Sequence, residues 1–298
     1  MSLIQRALGA SLPLVPKPIT KRVASRYVAG VTLDEALDCA EGLQKRGLSL
    51  TMALLGEEVT ERARAEDAVR EYLDVIHAIG DRGLDSGISI KLTLIGLDID
   101  ESFCRDNLNK LLEAAEAQNT LVRIDMEDHT YTDRTLDFYR EAKESHPHVG
   151  TVLQAYMRRT LDDIDALPED ANLRLCKGIY IEPRSVAFQS YERIREKFLE
   201  ALERMFVRGQ SVGIATHDEV LVDGALKLIE KHSVPRERVE FQTLLGVTEG
   251  LRDRLCADGH RVRVYLPYGS DWYLYSMRRL RENPKIAVYV LKAMFSRG

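Results

Sequence analysis

From about Leu48 onward, short apolar runs alternate with longer segments whose apolar residues recur at helical spacing. Segments 61–79, 184–208 and 219–231 are clear examples of the helical pattern. The apolar runs are too short for core helices and predict strands at 48–55, 88–95, 121–126, 151–156, 172–178, 212–217, 239–246 and 262–267. Eight strands, each followed by a helix, are the count of a (β/α)8 barrel of the TIM type, and we predict that fold.

An open, doubly wound α/β sheet is the other fold class with this alternation. Such sheets more often carry a glycine-rich, phosphate-binding turn after the first strand. Here the corresponding segment, LTMALLGEEVT, contains no GxGxxG. The barrel is therefore favoured.

The segment 1–47 precedes the first predicted strand and has helical character. Thr32, followed three residues later by Glu35, matches a capping box at the start of a helix. We expect this segment to pack against a barrel of residues 48–283 instead of forming a domain.

A short apolar tail, residues 284–298, follows the predicted barrel and carries Lys285, Lys292 and Arg297. We predict a helix that docks on the barrel. A segment that touches a membrane surface is the alternative.

Composition and charge narrow the class of protein. The chain has 298 residues, of which 45% are hydrophobic and 30% charged, which suits one large globular domain or two small ones. Its net charge of −5 gives no basic field for nucleic acid. No run approaches the ~20 apolar residues of a membrane span, and glycine and proline interrupt the first residues before a signal peptide could form. A cytoplasmic protein is predicted.

The cysteines and histidines agree with that location and indicate no metal site. Four widely spaced cysteines, Cys39, Cys104, Cys176 and Cys256, are typical of a reducing compartment. No HExxH or carboxylate cluster occurs, and His146 and His148 lie in a predicted turn. The hydrolase signature GxSxG is also absent.

Polar side chains stand at or near the carboxyl ends of seven consecutive predicted strands, where barrels of this type build their active sites. In apolar strands such groups are costly unless they face a site or a hydrogen-bonded network. In chain order they are Lys91, Asp125, Gln154, Arg174 with Lys177, His217, Gln242 and Tyr265. Their number and shared location favour one polar site that binds a cofactor with a diphosphate and an acceptor-rich ring.

Each of these residues also has a structural interpretation. Lys91 could point outward between helices, and His217 could be a hydrogen-bonded core histidine. Asp125 could cap the next helix or form a structural ion pair with Arg174. The glutamines could bond to neighbouring strand carbonyls.

Two adjacent arginines, Arg278 and Arg279, follow the last predicted strand in the segment YLYSMRRLRE. Paired guanidiniums suit a small carboxylate ligand, and a solvated helix face is the alternative. Neighbouring helix positions point ~100° apart, so both reach one ligand only if the helix lies edge-on over it. We therefore expect the last helix to cap the barrel mouth.

In chain order, SIKLTLIG, RIDMEDH, VLQAY, RLCKGIY, ATHD, EFQTLLG and YLPYG…MRRLREN resemble the motifs of the proline dehydrogenases. These flavoenzymes oxidise L-proline to Δ1-pyrroline-5-carboxylate. The resemblance covers residues 48–283, and the length is that of the monofunctional bacterial form. It implies a distorted (β/α)8 barrel, FAD as cofactor and a last helix over the flavin.

The resemblance also implies roles for individual residues around the substrate. Asp125 and Arg174 match the family's catalytic pair, with Arg174 also close to the flavin. The substrate-binding positions are Lys91, Arg278 and Arg279 for the carboxylate, Tyr180, Leu244 and Tyr265 for the ring, and Glu282, which would orient the arginines. The presence of Tyr265 favours proline over hydroxyproline.

Further positions match residues that contact FAD in the family. They are Met126, Gln154, Arg174, Lys177, Gly178, Ile179, Thr216, His217 and Gln242.

Hydride would pass from a ring carbon of proline to flavin N5, which requires a neutral amine. A cationic pocket lowers the amine pKa, so a dedicated base is unnecessary and Asp125 would chiefly position basic groups. The resemblance further implies a quinone acceptor, and with it peripheral contact at the inner membrane. Glu57 or Glu58 could pair with Arg278 as a gate.

Two other functions fit the residues alone. A Schiff-base aldolase would use Lys91 or Lys177 as the imine-forming lysine. A non-catalytic barrel would bind a small acidic metabolite through its arginines. A flavin spectrum in the purified protein separates both from a dehydrogenase.

Overall fold

The computed structural model of the chain describes residues 26–273 and residue 275. Eight parallel strands form a closed barrel in chain order, with the last strand paired to the first. They are β1 (Ser49–Leu54), β2 (Ser86–Ile90), β3 (Val122–Ile124), β4 (Val149–Gln154), β5 (Asn172–Cys176), β6 (Ser211–Ala215), β7 (Val239–Leu244) and β8 (Val262–Tyr268). The predicted (β/α)8 barrel is confirmed.

Helices surround the strands on the outside of the barrel. They are α1 (Leu33–Gln44), α2 (Arg62–Asp81), α3 (Glu101–Ala117), α4 (Thr132–Ser145), α5 (Thr160–Ala166), α6 (Tyr191–Val207), α7 (Glu219–Lys231) and α8 (Glu249–Ala257), with single 3₁₀ turns at His129–Tyr131 and Arg236–Arg238. Each of the longer helices buries one apolar stripe, as α2 does with Val69, Val75 and Ile79. These stripes and the strands share one continuous core.

The helix α1 begins with the predicted capping box. Thr32 Oγ1 accepts a hydrogen bond from Glu35 N, and the Glu35 carboxylate accepts one from Thr32 N. Before the helix, Ala29 N donates to Pro267 O at the carboxyl end of β8. At its other end, the Gln44 side chain bonds to backbone just before β2.

The helix α1 therefore runs down the outside of the barrel against β1 and β8. In a regular (β/α)8 barrel, this position belongs to the helix that follows the eighth strand. Here residues 272, 273 and 275, which follow β8, are helical. Tyr275 packs on Val28 and Leu55 near the carboxyl end of β1. The chain thus turns toward the barrel mouth after β8.

Several strands end earlier than the apolar pattern predicted. The run 88–95 is a strand only as far as Ile90, and tight turns follow in which Leu94 N donates to Lys91 O and Leu97 N to Leu92 O. Leu92, Leu94 and Ile95 are buried in these turns. Their apolar side chains therefore continue the apolar run past Ile90, and the sequence pattern does not show where the strand ends. Likewise, the helix predicted at 184–208 begins only at Tyr191, where Ser190 caps it.

The predicted boundaries at residues 47 and 283 stay predictions. Arg278, Arg279, Glu282 and the predicted tail helix 284–298 lie outside the described residues.

Candidate active site

A cavity of about 410 Å³ opens at the carboxyl ends of the strands. Because several strands end early, many predicted site residues lie just beyond a strand, in loops held by the barrel. The predicted residues that line the cavity are Lys91, Asp125, Met126, Gln154, Arg174, Lys177, Gly178, Ile179, Tyr180, His217, Gln242, Leu244 and Tyr265. The structure thus gathers residues from seven successive strand ends around one space.

Asp125 is the centre of a compact polar cluster in this cavity. Its Oδ1 accepts hydrogen bonds from Arg174 Nη1 and Ser89 Oγ, both at 2.7 Å, and its Oδ2 accepts one from the Tyr265 hydroxyl at 3.1 Å. The Arg174 guanidinium also lies 5.4 Å from the centre of the Tyr265 ring. Both carboxylate oxygens of Asp125 are therefore engaged by donors.

Tyr265 and Arg174 are locked by this cluster. Burial, and next the negative charge of Asp125, raise the pKa of Tyr265 well above its ordinary value, so the phenol stays a donor. Arg174 is 7% exposed and donates from Nε to Gln242 Oε1 at 2.6 Å. Its guanidinium is thus fixed from two sides.

A second buried carboxyl, Glu127, lies close to Lys91. It is 3% exposed and accepts hydrogen bonds from Thr93 Oγ1 at 2.6 Å and Thr93 N at 3.2 Å. Burial raises its pKa to about 7, against the Thr93 bonds and the positive charge of Lys91, which lower it. Near neutral pH this carboxyl is therefore close to half-ionised.

The cation Lys177 is held at the cavity wall by Asp218. Lys177 Nζ lies 3.4 Å from Asp218 Oδ2, which also accepts bonds from the Tyr191 hydroxyl at 2.7 Å and Arg195 Nε at 2.8 Å. Burial would raise the pKa of Asp218, but the bonds from Arg195 and Tyr191 outweigh it and lower the pKa. Asp218 therefore stays ionised and fixes this group of cations.

His217 binds the next strand through its ring. The Leu244 backbone N–H donates to His217 Nε2 at 2.9 Å, so a neutral ring carries its proton on Nδ1. The neighbouring Thr216 does not line the cavity; its Oγ1 accepts a bond from Asp218 N at 3.2 Å. Of the predicted FAD-contacting residues, Thr216 is the one that lies behind the wall.

The loop after β5 forms one side of the cavity and is tied to its neighbours. Gly178 has φ +109°, and a Cβ there would lie 2.2 Å from the Tyr156 ring, so only glycine fits. Glu182 clamps the loop: its Oε2 lies 2.5 Å from His129 Nδ1 and its Oε1 accepts from His129 N at 2.9 Å. Beside these contacts Ile181 is 99% exposed.

Some cavity and support residues were not predicted from the sequence as site residues. Leu55, Val152, Ala215, Thr243 and Tyr275 line the cavity, and Ser89 and Asp218 contact its polar groups Asp125 and Lys177. Glu127 is buried close to Lys91, and Glu182 holds the loop after β5. A usable signal existed for two of them, since RIDMEDH and ATHD each place an additional acid within two residues of a predicted site residue.

Of the residues in the predicted gate, the structure describes the two glutamates but not their arginine partner. Glu57 lines the cavity, whereas Glu58 is exposed and its backbone N–H donates to Thr93 Oγ1 at 3.0 Å. The proposed partner Arg278 lies outside the described residues.

Two negative findings apply to residues 26–273. No group of three or more His, Cys, Asp or Glu side chains there is arranged to hold a metal ion. No helix in the same part of the chain is long and apolar enough to cross a membrane.

The cavity occurs in a chain whose relatives are well defined. The proline dehydrogenase family model matches residues 36–290. Proline dehydrogenase 2 of Bacillus subtilis (strain 168) is 37% identical over 272 residues, covering 91% of this chain and 90% of that protein. The proline dehydrogenase of Deinococcus radiodurans is 34% identical over 278 residues, with the same two coverages of 91% and 90%.

Solved structures show the same fold. Proline utilization A (PutA) from Bdellovibrio bacteriovorus, inactivated by N-propargylglycine, superposes with a TM-score of 0.83 at 22% sequence identity. The match covers 88% of this chain and 33% of that one, so this chain spans about a third of that protein's length. The family match and the two bacterial relatives, over nearly the whole sequence, show that this chain belongs to the proline dehydrogenase family of oxidoreductases.

Proposed function

We propose that this chain oxidises L-proline to Δ1-pyrroline-5-carboxylate with FAD as cofactor, as the first step of proline catabolism. The observation that carries the proposal is the cavity, lined also by Lys91, in which Arg174 and Tyr265 donate hydrogen bonds to Asp125. The named activity of the two bacterial relatives supports the choice of proline as substrate.

The cavity residues fit a flavin. Val152, Ala215 and Leu244 supply apolar walls for a planar ring, and Arg174 and Lys177 supply cations for its electron-rich edge and phosphates. Thr243 has a buried hydroxyl oxygen with no hydrogen-bond partner among the described residues, which a polar ligand would satisfy. FAD would supply the two-electron acceptor, taking hydride from a ring carbon of proline at N5.

Asp125 acts in this proposal as an anchor and not as a free general base. Its two oxygens already accept bonds from Arg174, Ser89 and Tyr265. A carboxylate that accepts these three hydrogen bonds fixes the guanidinium of Arg174 and the phenol of Tyr265 at the cavity wall.

Substrate binding would rely on cations. Lys91 lines the cavity, and Arg278 and Arg279, at the predicted mouth helix, would join it on the proline carboxylate. Positive charge near the substrate also favours the neutral amine, whose lone pair assists loss of hydride from the adjacent ring carbon. Tyr180, Leu244 and Tyr265 would confine the ring, since close positioning of the reacting carbon lowers the barrier.

The test is a visible spectrum of the purified protein followed by anaerobic addition of L-proline without another acceptor. We expect a flavin spectrum that bleaches with L-proline and not with D-proline. Asp125→Asn should slow bleaching at least about tenfold, because Arg174 and Tyr265 lose their anchor.

Asp98→Asn is the matched control. Asp98 also accepts a hydrogen bond from a tyrosine hydroxyl, that of Tyr131, but it does not line the cavity. It should bleach like the wild type. A colourless protein, or a yellow one that ignores L-proline, contradicts the proposal.

The same experiment separates the rival functions. An aldolase would trap a carbonyl substrate on Lys91 or Lys177 with borohydride and show no flavin. In the structure Lys177 is ion-paired with Asp218, which does not favour it as a nucleophile. A binding protein would retain amino acids without turnover.

The acceptor in our proposal is a quinone, which places the protein in the cytoplasm with peripheral contact at the inner membrane. Support comes from the cavity rim, where Ile179 is 47% and Ile181 99% exposed. Such apolar side chains suit an apolar acceptor or a membrane surface. Ile181→Ser should slow reoxidation of the proline-reduced protein by a membrane-bound quinone and leave reoxidation by a soluble dye unchanged. Equal rates with the quinone would contradict this part.

A further inference from the structure

A chain of hydrogen bonds runs down the inside of the barrel from Arg174 to the opposite end. Arg174 Nε donates to Gln242 Oε1 at 2.6 Å, and Gln242 Nε2 donates to Glu240 Oε1, also at 2.6 Å. Arg263 Nε donates to the same Glu240 oxygen at 2.7 Å. The Gln242 amide therefore lies between a cation and an anion.

Strand geometry places these groups in successive layers of the barrel. Glu240, Gln242 and Leu244 are two residues apart on β7, so their side chains share one face. Leu244 and Gln242 line the active-site cavity, whereas Glu240 lines a separate polar cavity of about 350 Å³ at the amino ends of the strands. The hydrogen-bonded chain thus joins the two ends of the barrel interior.

The two neighbours of Gln242 fix the orientation of its amide. Arginine has only donors, so Oε1 must face Arg174. A carboxylate has only acceptors, so Nε2 must face Glu240. Arg263 keeps Glu240 ionised: burial would raise the pKa of Glu240, but the charge and hydrogen bond of Arg263 outweigh it and lower the pKa.

Neighbouring β6 leaves room for this amide. Gly213 pairs in register with Glu240, and a Cβ added to Gly213 would lie 2.3 Å from Gln242 Nε2 and 2.8 Å from its Cδ. Any side chain at residue 213 would displace the amide. The absence of a side chain at Gly213 is therefore a second, independent feature that serves the same contact.

We propose that Glu240 is a positioning residue for the reaction, which holds Arg174 against Asp125 through the amide of Gln242, in space left by Gly213. The proposal rests on the function proposed above, in which Arg174 acts at the cavity. It also gives Gln242 a different role from the FAD contact expected from the family resemblance, since both ends of its amide are used within the protein.

The test compares Glu240→Gln, Gly213→Ala and Asp85→Asn with the wild type in steady-state oxidation of L-proline. Glu240→Gln weakens the bond that holds Gln242, so kcat should fall at least about fivefold, the ratio expected when a charge-assisted bond becomes neutral. KM for proline should change little, because the carboxylate-binding residues are untouched. Gly213→Ala should act in the same direction by displacing the amide.

Asp85→Asn is the matched control. Asp85 lines the same cavity at the amino ends of the strands and pairs with Arg261 at 3.0 Å and, more distantly, with Arg263 at 3.9 Å, but its hydrogen bonds come from Arg261 and Ser49 and not from Gln242. It should retain wild-type kcat. If kcat of Asp85→Asn fell as much as that of Glu240→Gln, the effect would be a general one of the charges at the amino ends of the strands, and the proposal would be overturned.

A double-mutant cycle separates positioning from a structural effect. If Glu240 acts through Gln242, then Glu240→Gln added to Gln242→Leu should lower kcat no further. Multiplicative losses would overturn the proposal. If Glu240→Gln does not fold, the double-mutant cycle can use Gly213→Ala with Gln242→Leu instead, because Gly213→Ala also displaces the Gln242 amide.

A readout independent of turnover completes the test. The Nε–H of Arg174, identified as the arginine side-chain NMR signal lost in Arg174→Lys, should exchange slowly with solvent in the wild type and faster in Glu240→Gln. Unchanged exchange would overturn the proposal. A wild type that does not oxidise L-proline would instead refute the proposed function, and the exchange measurement would still decide whether Glu240 holds Arg174.

Discussion

Glu127 is a buried carboxyl whose ionisation depends on pH in the neutral range. In the unfolded chain its pKa is near the ordinary value of 4.5, and in the folded protein burial raises its pKa to about 7. A raised carboxyl pKa means that the folded state binds the proton more tightly. Stability therefore declines as pH rises from about 4.5 to 7 and is then constant with respect to this group.

Replacing Glu127 with glutamine removes this dependence. Relative to the wild type, Glu127→Gln should gain stability between pH 5 and pH 8, with an upper limit on the order of 3 kcal/mol. Thr93→Val removes a hydrogen-bond donor that lowers the Glu127 pKa. In this variant the pH range over which stability declines should therefore extend to higher pH than in the wild type. Urea unfolding at a series of pH values measures both.

Thr135→Val is the control for the loss of a buried hydroxyl. Thr135 is buried in α4 and its oxygen has no hydrogen-bond partner among the described residues. It should leave the pH dependence as in the wild type. A stability difference between Glu127→Gln and wild type that is constant with pH would contradict the prediction.

At the scale of residues, one rule predicted much of the candidate site. The side chains that contact those residues could be identified only from the structure. Asp125, Arg174 and Lys177 were predicted because barrels place function at the carboxyl ends of strands. Ser89, Glu127 and Asp218 were not, since each acts through a neighbour that is distant in sequence, as Asp218 does through Arg195. Pairings of this kind depend on strand register and helix packing, which an apolar pattern does not specify.

The loop between β5 and α6 is an element whose shape depends on one glycine. Gly178 has φ +109°, and the Tyr156 ring occupies the space of a Cβ. Gly178→Ala should therefore strain the loop and displace the cavity wall that carries Ile179 and Tyr180. We expect at least about tenfold weaker retention of flavin on dilution, since losing about 1.4 kcal/mol of contacts with this wall lowers affinity tenfold.

Gly250→Ala is the matched control for that change. Gly250 lies in α8, where a Cβ would meet no atom within 4 Å. It should retain flavin like the wild type and gain up to about 1 kcal/mol of stability, because alanine favours helices. Equal flavin retention in the two alanine variants would contradict the assigned role of Gly178.

At the scale of elements, the alternation of strands and helices was predictable, but the ends of several elements were not. The helix at 219–231 agrees with the structure because its apolar period is regular. The strand at 88–95 was predicted too long because its last apolar residues are buried in turns. Those turns place Lys91 at the cavity, so the error fell where the chain departs from regular structure for the site.

The whole barrel is completed by α1 in the outer position between β8 and β1. Its buried stripe, Ala36, Leu37, Ala40 and Leu43, belongs to the main core. Ala40→Asp puts a charge without a counterion into this stripe and should lower the free energy of unfolding by about 3 kcal/mol or more. Hydrogen exchange should rise first in β1 and β8.

Gly42→Asp introduces the same side chain on the exposed face of α1, where a Cβ would meet no atom within 4 Å. It should leave both stability and the exchange of β1 and β8 close to wild type. Faster exchange spread evenly over all strands in Ala40→Asp would contradict a specific role of α1 at this junction.

The position of α1 also sets an order of events for a chain leaving the ribosome. Among the described elements α1 is made first, and β8, against which it packs, is made last. Until β8 emerges, the apolar stripe of α1 lacks part of its cover and the growing sheet has two open edges. Pairing between strands so far apart in sequence is a slow, late step of folding. Protease resistance of the nascent chain should therefore appear abruptly, once β8 has emerged and can pair with both β1 and β7.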